Sequence, residues 1–88
     1  MANHKSALKR ARQNEIKRLR NMSYKTRSKN VIKEVRSHIA DKAEDKAMES
    51  LKKATSTIQK SASKGAIHRK NASRKISRLT RQVNQISS

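Results

Sequence analysis

"GAIHRKNASRKISRL" (residues 65–79) opens on the only glycine of the chain and then settles into a regular alternation of apolar and cationic side chains. Ala72, Ile76, Leu79, Val83 and Ile86 step by four, three, four and three, which is the period of one helix face. Lys70, Arg74, Arg78 and Arg81 recur by four, four and three; Lys70, Arg74 and Arg81 stand two residues before Ala72, Ile76 and Val83, about 200° around the axis, and Arg78 one residue before Leu79. One face packs and the opposite face carries charge. Gly65 closes "SASKG" (61–65) and is the residue type that ends a helix in a left-handed cap. The stretch therefore predicts a helix end, a turn and a new helix.

The preceding segment repeats the arrangement. Ala47, Met48, Leu51, Ala54, Ile58 and Ala62 form an apolar side, with Lys46, Lys53, Lys60 and Lys64 nearly opposite. "ADKAED" (40–45) offers Asp41 and Asp45 as N-cap residues after a stripe that ends at Ile39. No proline, one glycine and many Ala, Lys, Arg and Gln make helix the default state. Three helices are expected, over roughly 4–40, 44–63 and 67–86.

The first helix differs from the others. Val31, Ile32, Val35 and Ile39 share one side of its later half, whereas Leu8, Ala11, Leu19 and Met22 share another side of its earlier half, roughly 150–200° away. A straight helix cannot turn both stripes to one small core. The predicted fold is all-α, a three-helix bundle with an extended basic first helix. Residues 1–88 form one domain, with residues 1–22 as a projecting basic arm. Leu, Ile and Val total 14 of 88 residues, so the free bundle should be marginal and its arm frayed.

Charge dominates the composition. Twenty-four Lys and Arg face six Asp and Glu, a net charge of +18. Glu15 is the only acid before Glu34, and none follows Glu49. Both ends are thus polycationic while the middle is close to neutral. Such a surplus calls for a polyanion, nucleic acid first and an anionic membrane surface second. The apolar faces are mostly Ala, Ile and Val, which suits close helix packing rather than membrane insertion. No stretch approaches the length of a membrane span, and a soluble intracellular protein is expected.

Catalysis finds little support. One glycine excludes a phosphate-binding glycine loop, and there is no cysteine. His4, His38 and His68 lack metal-ligand spacing, so neither metal nor cofactor is expected. Tyr24 is the sole aromatic residue, which removes base stacking on an aromatic platform as the main binding mode. Contacts to phosphate and sugar from Lys, Arg, Ser, Thr and Asn remain. Cations on several faces suit the phosphates of a folded RNA, whereas regular DNA needs only one such face. A histone-like DNA compactor is the chief rival. His68 reads as a half-buried residue tying down the turn, with a direct RNA contact as its alternative.

The opening stretch resembles the C-terminal signature of the bacterial small-subunit ribosomal protein twenty family. Gly65, Ile67, His68, Ala72, Arg74, Lys75, Ser77, Arg78 and Leu79 fall on its positions. The start, "MANHKSALKRARQNEIKRLRN", is similar to the basic N-terminal segment of that family through Ala2, Asn3, Lys5, Ser6, Ala7, Lys9, Arg10 and Arg12. The chain departs from it at the first connection, where Ala40, Asp41 and Lys42 stand where members often have glycine. The resemblance implies a three-helix bundle with an extended first helix, bound to 16S ribosomal RNA low in the body of the small subunit. It also implies early joining during assembly, with contacts to the 5′ domain and to the long helix near the 3′ end. The location implied is the cytoplasm, in the ribosome.

The expected RNA contacts are Asn3, Lys5, Ser6, Lys9, Arg10, Arg12, Lys17, Arg18, Arg20, Lys25 and Arg27 in the first helix. In the third they are His68, Arg69, Lys70, Asn71, Arg74, Lys75, Arg78 and Arg81. The partner is 16S ribosomal RNA, with other small-subunit proteins as further candidates; neither a membrane nor a second copy of the chain is expected.

Overall fold

The structure, a computed structural model, describes residues 2–86, and side chains from residue 4 onward. Three helices follow one another: α1 (Ala2–Ala40), α2 (Glu44–Ser63) and α3 (Arg69–Ile86). Among the described residues there is no strand. The helices run up, down and up, with α2 against both neighbours and α1 and α3 touching each other least.

The core is the stripe predicted for each helix. Val31 and Val35 of α1, Ala47, Ala54 and Ile58 of α2, and Ala72, Leu79 and Val83 of α3 are buried together. Ile32, Ile39, Leu51, Ile76 and Ile86 pack half-buried around them. Met48 departs from the expected apolar side of α2 and is exposed. Small residues bring α1 and α2 close. Ser28 and Ser61 are buried and share a hydrogen bond of 2.8 Å between hydroxyls, while Ser61 Oγ also donates to the Thr57 carbonyl at 2.9 Å. Both hydroxyls are satisfied if Ser28 donates to Ser61, so this buried polar pair carries no desolvation penalty for a missing partner.

Both connections are built alike. At the end of α1 the Ala43 N–H donates to the His38 carbonyl and the Lys42 N–H to that of Ile39. At the end of α2 the Ala66 N–H donates to Ser61 and the Gly65 N–H to Ala62. Each is the paired-bond motif that places one residue in the left-handed region. Gly65 takes that position in the second connection, at φ +79°, as expected. In the first it is Lys42, at φ +54°.

One cap and one helix start differ from expectation. The residue capping α2 is Ala43, with no side-chain hydrogen bond, because the tight motif uses up residues 41 and 42. Asp41 is therefore outside the helix and Asp45 already inside it, where its charge and that of Glu44 face the positive helix end. Helix α3 starts at Arg69 rather than near residue 67, because His68 caps it. The His68 carbonyl accepts from the Ala72 N–H, and its ring Nδ1 accepts from the Lys70 N–H at 3.2 Å. His68 does tie down the turn, but it is exposed rather than half-buried.

Helix α1 is about twice as long as its neighbours and gives the molecule extents of 66 × 20 × 14 Å. Every residue from 4 to 20 is exposed, including Leu8, Ile16 and Leu19. The later half of the same helix supplies the core. Which half packs is decided by the stripe that faces α2.

Candidate nucleic-acid interface

Two cationic surfaces emerge from these elements. The first is the free length of α1. Lys5, Lys9, Arg10, Arg12, Lys17, Arg18 and Arg20 are all exposed on it, as is Ser6. The side chain of Asn3 lies outside the described residues. Ser6 and Arg10 line a shallow hollow with Ala7, Ala11 and Asn14. Among the described residues one ion pair forms, between Arg18 and Glu15 at 2.6 Å. The Arg18 guanidinium donates to both carboxylate oxygens and reaches Met22 Sδ at 3.3 Å. Its hydrogen bonds, and then its charge, hold the Glu15 carboxyl below its ordinary pKa. The pair is fully exposed, so it shapes the local charge pattern more than the stability.

The second surface is a groove of about 680 Å³ between α1 and α3. Lys25, Lys29 and Arg36 border it from α1, and His68, Asn71, Lys75 and Arg78 border it from α3 and its cap. Ile32, Ala66, Ile67 and Leu79 also line it, and no carboxylate does. Five cations without a counter-charge concentrate positive potential there. Of the residues expected from the sequence, Lys25, His68, Asn71, Lys75 and Arg78 are brought together at this groove.

Sequence reasoning missed Lys29 and Arg36. The signal was present: Lys25, Lys29, Ile32 and Arg36 recur at helical spacing on the flank of the core stripe Ser28, Val31 and Val35. Arg69, Lys70 and Arg74 lie apart from the groove, along the outer face of α3 with Ser73 and Ser77. Arg81 is also exposed, one turn beyond the groove. The Arg27 guanidinium sits 5.5 Å from the centroid of the Tyr24 ring, over one face of the single aromatic side chain.

The acids gather elsewhere. Glu34 and Glu49 border a hollow between α1 and α2 together with His38, Lys46 and Lys53, and Asp41, Glu44 and Asp45 stand exposed at the neighbouring connection. The end of the bundle carrying that connection is thus near neutral. Among the described residues no group of His, Asp and Glu could hold a metal ion, and no helix is long and apolar enough to cross a membrane.

Comparison with known proteins gives a consistent result. The family model of ribosomal protein S20 matches residues 2–84. A protein of Syntrophobacter fumaroxidans named small ribosomal subunit protein bS20 is 55% identical over 86 residues, covering 98% of this chain and all of its own length. Proteins of the same name from Desulfatibacillum aliphaticivorans and Nitratidesulfovibrio vulgaris are 53% and 49% identical, each over 99% of this chain and over 99% and 100% of their own.

Proposed function

Because the chain belongs to the ribosomal protein S20 family, we propose that it binds 16S ribosomal RNA directly and ties distant RNA segments together early in small-subunit assembly. The protein is a structural component of the small ribosomal subunit and not an enzyme. As such it resides in the cytoplasm, in the ribosome.

One observation carries the finer reading. A single molecule 66 Å long bears two separate cationic surfaces, the exposed length of α1 and the carboxylate-free groove. Phosphates neutralised by the first turns of the arm, Lys5 to Arg12, lie about 20 Å or more along the helix from those neutralised at the groove, which is what a bridge between RNA segments requires. Residues 1–22 act as the arm and the rest of the 88-residue domain as its anchor. The arm side chains from Asn3 to Arg20, together with Lys25, Arg27 and the named residues of α3, contact phosphate and sugar. The 5′ domain and the long helix near the 3′ end are the segments joined. Other small-subunit proteins lie within its reach, and a second copy of the chain is not needed.

The test is binding to 16S RNA as salt is raised. With some six to ten phosphates neutralised, affinity should fall by about 10³–10⁵ between 50 and 200 mM salt. At physiological salt the folded RNA should be strongly preferred to random duplex DNA. Equal affinity for the two would favour a DNA-compacting role and overturn the reading.

A further inference from the structure

We infer that the groove between α1 and α3 receives one unpaired nucleotide of the RNA, its base against the aliphatic floor and its phosphate on the lysines of the rim. This rests on the RNA reading above and narrows it from a charged surface to a defined ligand class. The floor is the first argument. Ile32 and Ile67 are half-buried and line the groove above the buried Leu79. A duplex backbone lying across Lys25, Lys29 and Lys75 would satisfy the charges and leave that apolar surface to water. A base, apolar on its faces and polar at its edge, uses both.

The polar groups beside the floor point the same way. Ser28 and Thr26 are already engaged, with Ser61 and with the Met22 carbonyl. His68 accepts the Lys70 N–H at Nδ1, so its neutral ring carries the proton on Nε2 as a free donor. Asn71 adds an amide with both donor and acceptor. One donor and one amide at the edge of an apolar slot suit a base edge, the way unstacked RNA bases are read. The groove, about 680 Å³ and open to solvent on one side, leaves room for a nucleotide. With Arg27 over one face of Tyr24, aliphatic side chains take the part that aromatic ones play in other RNA readers.

The test uses the full chain with labelled isoleucine and leucine methyl groups, titrated with the trinucleotide UUU and, separately, with inorganic phosphate at matched ionic strength. The Ile32 and Ile67 methyl signals should move with the trinucleotide and stay in place with phosphate. Equal movement under both would mean an anion site only, and no movement with UUU an unoccupied groove; either result overturns the inference. A second measurement fills the groove from its exposed rim. Asn71→Trp should lower affinity for 16S RNA about tenfold, within the range for one stacked base, with helix content unchanged and with Asn71→Ala having a smaller effect. An Asn71→Trp chain that binds 16S RNA as tightly as the parent contradicts the groove inference and leaves the RNA reading standing. A parent chain without preference for 16S RNA over duplex DNA brings down both.

Discussion

Lys42 occupies a backbone conformation that suits glycine. Its φ of +54° puts a side-chain-bearing residue in the left-handed region, at a cost of about 1–2 kcal/mol. Glycine would remove that cost but add about 0.5–1 kcal/mol of unfolded-state entropy. Lys42→Gly should therefore stabilise the bundle by about 0.5–1 kcal/mol, read as a higher midpoint in urea. Gly65→Ala is the converse. A Cβ there meets nothing within 4 Å, so the change is purely conformational and should cost a similar amount by the same reasoning. If Lys42→Gly destabilises while Gly65→Ala is neutral, the account of the two connections is wrong. Side-chain identity announced the second turn through Gly65 but misdirected the first. Asp41 and Asp45 looked like caps, yet the 6→1 and 5→2 bonds of the preceding helix decide which residue begins the next, and they select Ala43.

Helix faces follow the period of the apolar residues, while caps follow local hydrogen bonds. On α3 the division of labour is sharp, with Leu79 buried and its neighbour Arg78 exposed on the groove. Leu79→Ala should cost roughly 2–5 kcal/mol in thermal or urea unfolding, and the half-buried Ile76→Ala less. Arg78→Ala should leave stability nearly unchanged and weaken 16S RNA binding. The reverse pattern would invert the assigned faces. On α1 the informative residue is Glu15. Its carboxyl is held below the ordinary range by Arg18, so the pair persists above the unfolded-state pKa and is lost as pH falls through the lower folded-state value. Acid therefore releases Arg18 from Glu15, with little effect on stability because the pair is fully exposed. Glu15→Gln should mimic that loss in the free chain, yet free Arg18 for phosphate. RNA affinity should rise and the logarithmic salt slope steepen by about 0.9 if one more phosphate is engaged. An unchanged slope would show that Arg18 takes up no additional phosphate once Glu15 is neutral.

Over the length of the molecule, one helix serves two environments. Its later half completes a small core, and its earlier half has no protein neighbour over residues 4–20. That split was legible, since Leu8 and Leu19 cannot share a core side with Val31 and Val35. The groove was not. It depends on how α1 and α3 pack against each other, which no single-helix pattern encodes, so the residues expected from the sequence include Lys25, Lys75 and Arg78 but not Lys29 and Arg36 of the same groove. The repulsion among the arm cations is relieved by phosphate, so amides of residues 4–20 should exchange quickly in the free protein and become protected on RNA, while those at Ile58 and Leu79 are slow from the start.

The bridging claim itself is tested by hydroxyl-radical footprinting of 16S RNA with two full-length chains, the parent and one carrying Lys5→Gln, Lys9→Gln, Arg10→Gln and Arg12→Gln. These four side chains are exposed, so the altered chain should unfold at the parent's temperature. The parent should protect two RNA segments distant in sequence. The altered chain, supplied at higher concentration to offset its weaker binding, should lose protection at one segment and keep it at the other. Identical footprints from both chains, or a single protected segment with the parent, would contradict the bridge.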